Sequence, residues 1–169
     1  GLGDIPVLFR PFHENTGGWF WWGAATTDKE TYRALFQYTQ DYLASKGVHN
    51  FIYVYSPNGP LTSEEEYMDR YPGDDCVDIV AFDYYDDYNT YPAEYSGEFV
   101  DNLKKTCQVV KNIADAKGKV AAISETGVRV MKADGSDNEG ILVKGNPIAG
   151  HNWYKQVNQV AVDTGMPCF

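Results

Sequence analysis

The sequence predicts an α/β fold of the (β/α)8 barrel type, present only in part, and three observations point there. Short β-branched or aromatic runs alternate with segments of helical period along the whole chain. No GxGxxG or P-loop opens any of the helical segments. The polar and aromatic clusters all follow strands: HENTGGWFWWG after the first, SPNG after the second, DYYDDYNTY after the third and ETGVR after the fourth. Strict alternation implies parallel strands joined by right-handed crossovers, as an open doubly wound sheet or a barrel. Clusters on one side only are what a barrel with its site at the C-terminal strand ends produces.

The strands are expected at residues 5–9, 51–55, 77–82 and 120–124, with the start of a fifth at 166–169. The first helix should open at a Thr27/Glu30 capping box, carry Tyr32, Leu35, Phe36, Thr39, Tyr42 and Leu43 on one face and stop at Gly47. Thr62 and Glu65 form a second capping box before a short helix ending near Pro72. A third helix places Phe99, Leu103, Cys107, Val110 and Ala114 on one side and ends at Gly118. A last helix begins near Pro147 and turns Trp153, Tyr154, Val157, Val160 and Ala161 inward. A complete barrel takes about 250 residues, and only four βα repeats and the start of a fifth strand are present. The expectation is one partial domain over residues 1–169, with part of the barrel lying outside it.

Composition narrows the function. The formal charge of -10, from 24 acidic against 14 basic residues, opposes a nucleic-acid partner, whose affinity rests on Lys and Arg replacing counterions. A neutral ligand such as a sugar fits better. The 13 Tyr, 8 Phe and 4 Trp cluster beside Gly, Asn and Asp, which offers stacking surfaces as well as core. No apolar run approaches the roughly 18 residues of a membrane span. Cys76, Cys107 and Cys168 allow one disulfide with one left over, match no CxxC metal spacing, and read as ordinary buried thiols.

Two carboxylates stand out. Glu14 ends the strand run IPVLFRPFH, and Glu125 takes the equivalent place after KVAAIS, three strands later. Across a barrel mouth such a pair suits glycoside hydrolysis, in which one carboxyl protonates the leaving oxygen and the other attacks the anomeric carbon. Retention of configuration needs the carboxyls about 5–5.5 Å apart. Arg10 shares strand parity with Phe12 and Glu14, so all three are expected to face inward, with Arg10 supporting Asp83 or Glu125. His13-Glu14 is not a zincin motif, because Gly17 stands where the second His would be. Asp134, Ser136 and Asn138 lack the Gly and Glu of a calcium loop. His49 and His151 read as surface or capping residues, and residues 132–145 as a polar loop over the site.

RPFHE followed by NTGGWFWWG resembles the segment that family 26 glycoside hydrolases carry at the end of their fourth barrel strand. YVYSPN at 53–58, FDYY at 82–85 and SETG at 124–127 are similar to that family's fifth-, sixth- and seventh-strand segments, in matching order from Pro6 to Phe169. The chain departs from the family pattern at Asn15-Thr16, where Met-Asn is common. The resemblance implies strands four to seven plus the start of strand eight, and a retaining endo-β-1,4-mannanase acting on β-mannan. It casts Glu14 as acid/base, Glu125 as nucleophile, His13 as a sugar-binding residue, Tyr85 as a hydrogen-bond partner of the nucleophile and Trp19 as a stacking wall. Asp83 and Trp22 would line neighbouring subsites, while Phe20 and Trp21 have a competing reading as a buried aromatic plug. The same family also implies a β-1,3-1,4-glucanase or β-1,3-xylanase as alternatives. A non-catalytic carbohydrate-binding protein is the reading from another class, disfavoured by the two retained carboxylates. Two-carboxylate chemistry calls for no cofactor and no metal, and a polymeric substrate implies an extracellular or periplasmic location. The 169-residue chain alone is expected to be weakly active or inactive.

Overall fold

A computed structural model describes residues 3–88, 98–130 and 153–167. Four strands, β1 (Val7–Phe9), β2 (Phe51–Tyr55), β3 (Ile79–Tyr88) and β4 (Val120–Val130), form one parallel sheet in chain order. The helices α1 (Lys29–Ser45), α2 (Glu64–Met68), α3 (Glu98–Lys117) and α4 (Trp153–Thr164) lie between or after them. Beyond α4, Pro167 O accepts from Ile123 N at 3.0 Å, so the chain returns beside β4 where a fifth strand would begin. Cys168 and Phe169 lie outside the described residues, as do Pro147, His151, residues 132–145 and the Asp134 segment.

Because successive strand residues face opposite sides, β2, β3 and β4 each feed two apolar layers. Tyr53, Tyr55, Val80, Phe82, Ala121 and Ile123 pack on the helices through Phe36, Leu103, Cys107, Val110, Trp153 and Val157. Ile52, Val54, Ile79, Ala81 and Ala122 form a smaller cluster on the opposite face, the one that would line a barrel. Burial on both faces is why these strands read as near-continuous apolar runs. Phe36 and Trp153 anchor the helical layer at 0% and 2% exposure, and truncating either to Ala is worth about 3–5 kcal/mol. Among the described residues no helix is long and apolar enough to cross a membrane.

Several boundaries differ from the sequence reading. The α1 cap is Asp28, whose carboxylate accepts from Thr31 N, because Thr27 Oγ1 donates instead to Trp21 O. The second box also moves by one residue: Ser63 accepts from Glu66 N, and the Glu66 carboxylate reaches back to Thr62 N. Only Tyr32 and Phe36 of the α1 face are buried, and Tyr42 is 49% exposed. Tyr154 of α4 is exposed as well. β1 begins only at Val7, after Pro6, which lacks an amide to donate to the ladder. β3 and β4 run further than expected, because Asp83–Tyr88 and Glu125–Val130 continue the ladder instead of breaking into loops. The candidate residues Asp83, Tyr85 and Glu125 therefore sit on strands.

Candidate active site

Past Phe9 the backbone leaves strand geometry. Phe12 and Glu14 hold φ values of 54° and 52°, in the left-handed region that costs a non-glycine residue about 1–3 kcal/mol. Two bonds hold Glu14 there, from its own N–H to Ser56 O at 2.7 Å and from Gly17 N to its carbonyl at 3.1 Å. The turns also correct the parity argument: Phe12 packs in the helical core against Trp22 and Phe36, while Arg10 and Glu14 face the site.

Arg10 forks between two carboxylates. Its Nη1 lies 2.6 Å from Asp83 Oδ2, and its Nη2 donates to Glu125 Oε1. Tyr85 donates to the other Glu125 oxygen at 2.9 Å. Its ring can lie there because Gly127, its register partner, has no side chain; a Cβ on Gly127 would come within 2.9 Å of the ring. Burial alone would push Glu125 up, but the Arg10 and Tyr85 hydrogen bonds and the Arg10 charge outweigh it and hold the carboxyl below the ordinary Glu value. Tyr85 is raised in turn to about 12, by burial first and then by its bond to Glu125.

One carboxylate oxygen from each of Glu14, Asp83 and Glu125 falls within 4.8 Å of the others. Arg10 already supplies the positive charge between Asp83 and Glu125 that a cation would otherwise bring. Trp19 folds over Gly17, whose hydrogen leaves space for the indole, and donates to Glu14 Oε2 at 2.8 Å with 60% of its surface exposed. His13 Nε2 stands 4.0 Å from Glu125 Oε1. Burial, then the Arg10 charge, push the imidazole below its ordinary value against the upward pull of Glu125 and Glu14, so His13 is neutral at neutral pH.

Two expected placements change, those of Asp83 and Trp21. Asp83 was expected to line a subsite, but its side chain is wholly covered; it is packed on Arg10 and Ser124 and cannot touch a sugar from there. Trp22 is half-buried, stacked 4.4 Å from Phe20 and donating to His13 O at 2.8 Å. Trp21, half of the competing buried-plug reading, is 61% exposed and Phe20 is only half-buried, so neither forms a buried plug. Sequence reasoning also missed the buried Arg70, which holds this loop by donating to Trp22 O and Thr27 O while lying over the Tyr32 ring. It missed Ser56 and Ser124, whose hydroxyls lie 2.7 Å apart beside Asp83; a Ser in each of two site-facing strand ends was the available signal. His49 is exposed, Cys107 lies in the core and Cys76 is half-buried.

The sequence pattern of glycosyl hydrolase family 26 matches residues 2–159. A mannan endo-1,4-β-mannosidase of Bifidobacterium adolescentis is 38% identical over 140 residues, which are 80% of this chain and 14% of that protein. Another, from Thermothelomyces thermophilus, is 42% identical over 83 residues, 48% of this chain and 15% of that one. Among solved structures, the catalytic domain of a Bacillus sp. JAMB-750 GH26 endo-β-1,4-mannanase matches with a TM-score of 0.81 at 39% identity, over 97% of this chain and 40% of that chain. The four-stranded sheet is thus part of a (β/α)8 barrel, and this chain spans well under half the length of these relatives.

Proposed function

Because the chain belongs to glycosyl hydrolase family 26, we propose that it carries the catalytic strands of a retaining endo-β-1,4-mannanase, with Glu125 as nucleophile and Glu14 as acid/base. The observation that carries this reading is the approach of the Glu14 and Glu125 carboxylate oxygens to within 4.8 Å. That approach is nearer the carboxyl separation of retaining enzymes, about 5–5.5 Å, than the about 6.5–9.5 Å of inverting ones, and it supports direct attack.

In the first displacement Glu125 attacks the anomeric carbon while Glu14 gives its proton to the departing glycosidic oxygen. Water, deprotonated by Glu14, then releases the sugar from Glu125. Arg10 and Tyr85 keep Glu125 ionised for attack. Exposed Trp19 offers the sugar an apolar face beside Glu14, and neutral His13 presents a ring nitrogen next to the nucleophile. Both curated relatives described above are mannan endo-1,4-β-mannosidases, which favours mannan over mixed-linkage β-glucan or β-1,3-xylan. A polymer of this size is met outside the cytoplasm, in the extracellular space or periplasm.

The test uses the full-length protein that carries this segment, on β-mannan, mixed-linkage β-glucan and β-1,3-xylan. Mannan should be cleaved fastest, Glu125→Ala should abolish cleavage, and proton NMR of a manno-oligosaccharide digest should show the β anomer first. An α anomer formed first would remove the retaining mechanism, and faster glucan cleavage the substrate assignment. The 169-residue chain by itself should hydrolyse mannan weakly or not at all, since among the described residues no strand flanks the outer side of β1 and only the Pro167 carbonyl meets β4. Robust hydrolysis by the chain alone, lost in Glu125→Ala, would overturn that point.

A further inference from the structure

In an unbroken strand Ser124 and Glu125 would face opposite sides of the sheet. The β3–β4 ladder pairs Phe82 with Ile123 but Asp83 with Glu125, so Ser124 is an extra residue in β4, a bulge. The bulge brings two consecutive side chains to the site face. Ser124 Oγ lies 2.6 Å from Asp83 Oδ1, 2.7 Å from Ser56 Oγ and 3.1 Å from Phe82 O. Each hydroxyl has one proton, and an ionised carboxylate only accepts. The self-consistent assignment has Ser56 donating to Ser124, Ser124 donating to Asp83, and Arg10 donating to the remaining Asp83 oxygen and to Glu125. A single polar chain thus runs from β2 through β4 and β3 to the guanidinium, and ends at Glu125.

We propose, on the reading of Glu125 as nucleophile, that Ser124 is a positioning residue: its hydroxyl keeps Asp83 a carboxylate turned toward Arg10, and so holds the guanidinium shared between Asp83 and Glu125. The charged groups facing Asp83 are Arg10, which favours its ionisation, and Glu125 and Glu14, which oppose it. Burial is the largest influence and already raises Asp83 to about 6, with the Ser124 bond the first of those resisting it. Without that bond Asp83 takes up its proton at a higher pH. Arg10 then has one counter-charge instead of two and settles wholly on Glu125, covering the lone pair that must attack.

The experiment is Ser124→Ala in the full-length protein, with kcat and KM for a manno-oligosaccharide measured across pH. The acid limb of kcat should move up by about one to two pH units, the worth of one hydrogen bond to a charged group, with KM nearly unchanged. Ser124→Thr, which keeps the hydroxyl, should restore the wild-type limb. In an Asp83→Asn background Ser124→Ala should add nothing, because the serine acts only through that carboxylate. An unmoved limb, or a full effect in the Asp83→Asn background, overturns the proposal. Should Ser124→Ala not fold, Ser56→Ala removes the next donor in the chain and should move the limb the same way by less; no movement overturns the proposal equally. A wild-type protein inert on all three polysaccharides, or a Glu125→Ala variant that keeps its activity, would instead refute the assignment of Glu125 on which this role rests.

Discussion

Asp83→Asn separates the role of this buried carboxyl from every activity measurement, because it can be read in the stability of the chain itself. Asp83 is wholly covered, and its folded pKa is raised from 3.8 to about 6, mainly by burial. A group raised on folding binds its proton more tightly in the native state. Its stabilising contribution is complete below the unfolded pKa and is lost as pH rises through the folded one. The shift is roughly two units, and at about 1.36 kcal/mol per unit it corresponds to ~3 kcal/mol lost between about pH 4 and about pH 7. Asn has nearly the same shape and no proton to lose. Urea denaturation at several pH values across that window should show the wild type losing up to ~3 kcal/mol relative to Asp83→Asn as pH rises. Glu125 acts in the opposite sense, since its pKa is lowered on folding and its contribution is lost as pH falls through the acid range; it is present in both proteins and largely cancels in the difference. Parallel curves for the two proteins would mean that Arg10 and Ser124 fully compensate the burial of Asp83, and the reasoning would fail.

Tyr85→Phe removes one hydrogen bond to a charged carboxylate while keeping the ring. It is expected to lower kcat/KM by about one to two orders of magnitude and to raise the apparent pKa of Glu125, both read from pH–rate profiles of the full-length protein. Gly127→Ala should reproduce most of that loss without touching any hydrogen-bonding group, because its Cβ pushes into the Tyr85 ring at 2.9 Å. A crystal structure of Gly127→Ala with the Tyr85 hydroxyl still on Glu125, together with unchanged kinetics, would count against that mechanism.

Much of the architecture was legible in the chain because it is carried by local patterns. The alternation of apolar runs with helical periods survives as four parallel strands with helices packed on one face. The α3 stripe of Phe99, Leu103, Cys107, Val110 and Ala114 is buried as its period predicts. What local pattern misplaced was boundaries. DYYDDY and ETGVRV look polar enough for loops, yet each becomes strand because the other lies beside it in register. Propensity sees one segment at a time, whereas a ladder is decided by two.

For the site, the sequence by itself singled out the residues to which we assign the chemistry: two glutamates at matched strand ends, a His beside one of them, and an aromatic loop between Gly17 and Gly23. Side-chain type and spacing suffice for that, since acid–base chemistry resides in the functional groups. Strand parity pointed to Arg10 beside Asp83 or Glu125, and the family resemblance to Tyr85 on Glu125, and the structure has both contacts; the remaining contacts only the tertiary structure decided. It put Asp83 out of reach of any sugar and under Arg10, turned Phe12 outward through a positive φ, and used one extra residue in β4 to bring Ser124 and Glu125 to the same face. Those outcomes depend on contacts between residues more than forty positions apart, such as Arg10 with Asp83 and Ser124 with Ser56. Bulges and left-handed turns leave little trace in residue type, because the partners that stabilise them lie on other strands.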